Sequence, residues 1–280
     1  MSTQVVEQRN LPIEHHGLGR FSAGVADMFA LAQRNLISLV RVPQLLVFST
    51  IQPIIFVLLF RYVFGGAVQG SLPPGVPYVE YLMPGVFVQT ATFGALGSAI
   101  GLATDVKSGL LERFRSLPMA RSAVLTGRTL GDLGRNVFVT ILMLIVGFLV
   151  GFRILTPAWE ATCGVLLLLF FGYMLSWIFA TVGLWTGDPE TAQAAAFPIL
   201  APLVFASSAF VPVSSMPSWL QGFAEHQPVS VTASAVRGLL IGQIPGVAST
   251  SWYVIQSLFW CVALIAIFAP LAVRRYRTKV

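Results

Sequence analysis

An all-α integral membrane fold with six transmembrane helices is what this sequence predicts, and three observations predict it. Only 10% of the 280 residues are charged while 56% are hydrophobic, against roughly a quarter charged in an ordinary soluble domain. The mean hydropathy is +0.80. The apolar residues also fall into blocks: 42–60, 81–104, 136–152, 161–187, 191–224 and 238–273 carry no Asp, Glu, Lys or Arg, and each holds a span of about 20 residues. None alternates polar with apolar as barrel strands do. In hydrocarbon each backbone amide must be paired within its own segment, so the blocks are expected as helices.

In chain order, residues 1–20 are expected as a flexible cytoplasmic tail, with His15 and His16 solvated. Residues 21–43 predict an amphipathic interface helix. Val25, Met28, Phe29, Leu31, Ala32, Leu36 and Leu39 recur at three and four, with Asp27, Gln33, Arg34 and Asn35 between them. That pattern suits either a plain membrane anchor or a docking surface for a cytoplasmic partner. Residues 44–280 form a single transmembrane domain with spans at about 44–64, 81–104, 135–152, 159–185, 191–213 and 252–273. Pro53 is expected to bend the first span, and Pro198 and Pro202 to kink the fifth. Gly94, Gly97 and Gly101 offer a small-residue face for a neighbouring helix. The connection 214–249 is too long for a turn and too apolar for a free loop, so two short re-entrant or interfacial outer helices are expected before the last span.

Charge placement sets the expected orientation. Arg9, Arg20, Arg34 and Arg41 precede the first span; Lys107, Arg113, Arg115, Arg121, Arg128 and Arg135 lie between the second and third; Arg274, Arg275, Arg277 and Lys279 follow the last. Only Arg61, Arg153 and Arg237 fall on the other side. The positive-inside rule then puts both termini in the cytoplasm of a multi-pass plasma-membrane protein. The net charge of +6 is accounted for by anchoring to anionic lipid, so membrane lipid is the expected partner and nucleic acid is not.

The motifs of familiar chemistry are missing. Neither lysine follows a glycine, so there is no phosphate-cradling GxxxxGK[ST] loop, and no HExxH or GxSxG occurs. Cys163 and Cys261 have no metal-ligand spacing and are expected as apolar packing residues, and His226 as a structural polar one. By the boundaries above no helix centre holds an ionisable group, which such spans tolerate only for use. No catalytic, cofactor or metal residue is expected, and any active transport must draw its energy from another subunit.

One cytoplasmic segment stands out. In DVKSGLLERFRSLPMAR, residues 105–121, Leu110, Leu111, Phe114 and Leu117 share one face of a short helix, with Lys107, Glu112, Arg113 and Arg115 on the remainder. Asp105 is expected to cap its start and Pro118 to end it. Such a helix needs lipid or a soluble partner to cover it.

GLLERFRSLPMAR with the LTGR that follows it, FASSAFVPVSSMPSWL, QPVSVTASAVRGLLIG, VFGG and YLMPGV together resemble the permeases of ABC-2 type exporters, nearest to the daunorubicin-resistance subgroup. Gln227-Pro228 stands where that family more often has Asn-Pro. The resemblance implies a half-transporter that pairs with a second permease subunit, identical or homologous, and with two copies of a separate ATPase that binds ATP and Mg2+. It implies an ATPase-coupling segment at Asp105, Gly109, Leu110, Leu111, Glu112, Arg113, Phe114, Arg115, Leu117 and Pro118, and an interface helix carrying Met28, Phe29, Arg34 and Arg41. It places the dimer seam and substrate path on the first and fifth helices, here Pro53, Phe56, Pro198, Pro202, Phe205 and Phe210. Met216, Trp219 and Phe223 would form an outer gate. An apolar, uncharged path would favour an amphipathic drug-like or lipid-like cargo over a small ion. A polysaccharide or glycolipid exporter is the alternative within transport, and a membrane-embedded enzyme or a scaffold the alternative outside it.

Overall fold

The structure, a computed structural model, describes residues 43–73, 75–110, 121–244 and 248–279. The expected interface helix lies outside the described residues. So does most of the coupling segment.

All regular structure in the described residues is helical. The first helix, α1, runs Pro43–Leu58, passes through a π-helical stretch Leu59–Phe64, and continues as Gly65–Gln69. Helix α2 (Tyr78–Gly94) is separated from α3 (Leu96–Lys107) by Ala95 alone, so the two make one bent rod. Helix α4 is Arg121–Val150, α5 Ala158–Thr186 and α6 Pro189–Phe205. Two short helices follow, α7 (Ser218–His226) and α8 (Pro228–Ile241), and then α9, Thr250–Lys279.

Five helical stretches are long and apolar enough to cross a membrane: Thr50–Gln69, Tyr78–Lys107, Leu125–Val150, Ala158–Thr186 and Thr250–Tyr276. The expected fifth span, α6, ends at Phe205 instead of near 213 and has 17 residues, about 25 Å at helical rise. The third begins at Arg121, fourteen residues before its expected start, which turns much of the supposed connection into helix. The second and sixth also extend past their expected ends, to Lys107 and Lys279.

Helix α5 is the hub, packing against α2, α3, α4, α6, α8 and α9. Its buried side chains include Leu168, Phe171, Met174, Phe179 and Leu184. Around it, α1, α4 and α9 turn large apolar side chains outward, among them Ile55, Val63, Ile141, Leu149, Ile255 and Phe259. So broad an apolar belt suits hydrocarbon as its solvent. Helix α8 is too short to cross and packs between α2, α5 and α9, where Thr232 meets Ser257 of α9 at 2.7 Å. The expected short helices before the last span are therefore present, and the second is fully built into the bundle.

Two glycines permit the closest packing. A Cβ at Gly183 would strike the backbone carbonyl of Ala99, and one at Gly85 that of Ala209. Gly94, Gly97 and Gly101 serve differently from expectation: the guanidinium of Arg135 fills the space beside Gly94 and Gly97, and that of Arg128 the space beside Gly101. The glycine face receives arginine side chains where a helix backbone was expected. Cys261 is buried as predicted, whereas Cys163 is exposed at the start of α5.

Candidate functional site

The buried and paired charges described below fall into two groups, one at each end of the bundle. At one end α3 finishes, α4 begins, and α5 turns into α6. Gly109 closes α3 with a left-handed backbone, and Asp188 caps α6 by accepting from the Thr191 backbone N–H at 3.0 Å. Lys107, the last residue of α3, donates to Asp188 at 2.6 Å and so ties the end of α3 to the α5–α6 turn. That bond, with the Thr191 N–H, holds the Asp188 carboxyl down to about 2.

One turn further in, Arg128 of α4 reaches Asp105 of α3 at 2.7 Å, with both side chains about one-fifth exposed. Deeper again, Ser98 donates to the buried Asp132 carboxylate at 2.6 Å, and Arg135 donates to the Gly94 carbonyl. These groups correct two expectations. Asp132 is an ionisable residue buried within a long apolar helix, and Asp105 is held in the last turn of α3 by Arg128. The physical reason is shared: partners on adjacent helices satisfy each charge and lower the cost of taking it from water. The C-terminal helix ends here too, with Tyr276 packed beside Leu102, Leu125, Trp177 and Leu184.

The opposite end is organised around one cation. Arg237 of α8 is 3% exposed. Its Nε donates to the Tyr81 carbonyl and Nη2 to the Ser208 carbonyl, both at 2.9 Å, while its Cζ lies 3.6 Å from the centre of the Tyr81 ring. The Tyr81 hydroxyl donates to the same Ser208 carbonyl at 3.3 Å, and Tyr78 to that of Phe210 at 3.0 Å. Gln227, before α8, donates to the carbonyls of Leu203 and Ala206 at 2.7 and 3.1 Å. It thereby satisfies carbonyls at the C-terminus of α6. Arg237, expected in the second short helix of the outer connection, is thus a buried structural cation there. A cavity of about 590 Å³ opens beside it, lined among others by Tyr81, Ser208, Glu225, Ser234 and Tyr253.

Of the residues expected at the coupling segment, Asp105, Gly109 and Leu110 are described, and the first two stand at the charged end. Leu111, Glu112, Arg113, Phe114, Arg115, Leu117 and Pro118 lie outside the described residues, as do Met28, Phe29, Arg34 and Arg41. The residues expected at the seam do meet in part. Phe56 packs against Phe60, Phe205 and Phe210, and Phe60 stacks on Phe210 with centroids 4.4 Å apart. Pro53 is buried; Pro198 and Pro202 lie on the exposed side of α6, whose buried stripe is Ala192, Ala196, Leu200 and Val204. Of the expected gate, Trp219 and Phe223 are exposed and the Met216 carbonyl accepts from Gln221 at 2.8 Å. His226 is exposed, its Nδ1 3.0 Å from the Gly222 carbonyl.

Five helices long and apolar enough to cross a membrane, with large apolar side chains turned outward, suit a multi-pass membrane protein. Residues 26–241 match the family described as ABC-2 type transporter, and the chain belongs to that family. It is 36% identical over 85% of its length to the daunorubicin resistance ABC transporter permease protein DrrB1 of Streptomyces coeruleorubidus, covering 81% of that protein. It is 28% identical over 69% of its length, and of the relative's, to the probable doxorubicin resistance ABC transporter permease protein DrrC of Mycobacterium tuberculosis. A putative transport permease, ycf38 of Cyanophora paradoxa, is 28% identical over 84% of this chain and 79% of its own. The protein is therefore a transmembrane permease of an ABC transporter, and membership implies an ATPase partner and a permease pairing.

Proposed function

We propose that this chain is the permease subunit of an ATP-driven exporter that moves an amphipathic drug-like or lipid-like substrate out of the cytoplasm or inner leaflet. The carrying observation is the convergence of the 105–110 segment, the start of α4 and the α5–α6 turn at one charged end, on a chain whose drug-resistance relatives are permeases. The segment 111–118 springs from that end, so a soluble ATPase pressing on it would push α3 and α4 together with the α6 cap. ATP and Mg2+ belong to that ATPase, expected in two copies, and this chain is not itself catalytic.

In this reading both termini and the charged end face the cytoplasm, and α6 completes a set of six spans. A second permease subunit covers the outward apolar faces of α1 and α6, where the exposed Phe205 packs against the partly buried Phe56 and the buried Phe210. Met216, Trp219 and Phe223 stand at the exit. The same cluster of stacked rings is what favours the second reading, export of a polysaccharide or glycolipid, since sugars travel along aromatic surfaces.

Co-purification in detergent tests the proposal, comparing the tagged chain with a Glu112→Ala, Arg113→Ala, Phe114→Ala variant. The expected result is an ATPase subunit retained by the parent chain and lost, or rendered inactive, in the variant. A well-folded parent chain that brings down no ATPase would overturn the exporter assignment.

A further inference from the structure

The cavity beside Arg237 has no place in the reading above, and its charges are specific. Among the described residues the ion pairs are Lys107 with Asp188 and Arg128 with Asp105, both at the other end of the bundle. Arg237 is buried on carbonyl dipoles and the Tyr81 ring, which offset part of the cost of desolvating a guanidinium but supply no formal negative charge. Among the described residues the one carboxylate lining the cavity is Glu225, an exposed residue of α7. The lining thus combines a buried cation with an exposed acid, and Ser208, Ser234 and Tyr253 add hydroxyl groups to it.

We propose that this cavity holds a zwitterionic phospholipid headgroup, its phosphate at Arg237 and its ammonium at Glu225. Two of the five guanidinium N–H groups of Arg237 serve the Tyr81 and Ser208 carbonyls, which leaves both N–H groups of Nη1 and one of Nη2 as donors for phosphate oxygens. The exposed acid repels a headgroup that is anionic only and attracts one carrying a terminal ammonium. The volume of about 590 Å³ lies in the ordinary range for small-molecule sites. Acyl chains have a surface at hand: Tyr253 lines the cavity, and Trp252, Ile255 and Phe259 of the same helix expose an apolar stripe. This site is independent of which cargo the permease carries and of whether an ATPase binds.

The test uses the full chain purified in detergent and titrated with short-chain phosphatidylethanolamine, phosphatidylglycerol, glycerophosphoethanolamine and inorganic phosphate, read by native mass spectrometry. The ethanolamine lipid is expected to bind about tenfold more tightly than the glycerol lipid, one charge contact's worth. Glu225→Gln, on an exposed residue, should abolish that preference. Ser234→Phe fills the cavity without touching the carbonyl bonds of Arg237, and should lower binding of the ethanolamine lipid about tenfold at an unchanged melting temperature. Equal binding of both lipids, or a Ser234→Phe variant that folds and binds as before, overturns the proposal. Binding of glycerophosphoethanolamine or inorganic phosphate as tight as that of the lipid overturns the lipid assignment, because the chains would then contribute nothing.

Discussion

The two ends of this bundle solve the same electrostatic problem in opposite ways. At the charged end, Asp105 with Arg128 and Lys107 with Asp188 neutralise one another between helices, and Asp132 takes its bond from Ser98. At the other, Arg237 is held by two carbonyls and a ring. Paired charges on separate elements can part and re-form as those elements shift, since each retains a polar surface to return to. A cation bonded to backbone carbonyls of α2 and of the segment after α6 fixes three pieces of chain together. In the proposed reading the charged end transmits movement, and the distal end holds shape around a cavity.

The largest expected effect follows from breaking that clamp. Arg237→Ala leaves the Tyr81 and Ser208 carbonyls short of a strong donor in a buried setting, at a cost of about 3 kcal/mol. Arg237→Lys should recover little, because a single ammonium cannot match a fork that serves two carbonyls while stacking on a ring. Thermal unfolding in detergent checks both. A lysine variant as stable as the parent would show that charge alone matters at this end.

An inner pair should behave otherwise. Arg128→Ala or Asp105→Ala is expected to cost about 1 kcal/mol, and the two together little more than either, since a partly buried pair couples its members. A double-mutant cycle on melting temperature measures the coupling. Additive losses would show that the two residues act separately, contrary to the contrast drawn between the ends. Between the ends, the Gln89 amide is wholly buried in α2 with no hydrogen-bond partner among the described residues. Gln89→Leu should therefore stabilise by about 1 kcal/mol. A lowered melting temperature would reveal a partner for that amide.

The spans were legible because lipid excludes unpaired charge residue by residue, so a charge-free block betrays a helix without any knowledge of its neighbours. The same logic misplaced the start of the third span. Arg128 and Asp132 read as loop residues one at a time and Arg135 as the first residue of the span, yet α3 supplies Asp105 and Ser98, and α2 the Gly94 carbonyl, to satisfy them across the bundle. No local pattern announces a partner 23 or 34 residues away. Arg237 was likewise visible as a charge in an apolar stretch, but its partners Tyr81 and Ser208 lie 156 and 29 residues distant. What sequence could supply at that end was the presence of the short helix, since Gln227-Pro228 starts it and Gly242 stops it.

The smallest effect belongs to the outermost pair. Lys107 and Asp188 are largely in solvent, with side chains 63% and 33% exposed, so Lys107→Met should lower the melting temperature slightly and not at all in high salt. The pH dependence has a definite sign. Asp188 is ionised in the folded protein down to about 2, below its free value of 3.8, so its contribution is complete above the free value and disappears as pH falls from there toward 2. Parent and variant should therefore differ by a constant amount from pH 8 to 5 and converge only in stronger acid. A difference that already changes between pH 7 and 5 would require another titrating group at this end, and the freedom of the pair to part without cost would have to be reconsidered.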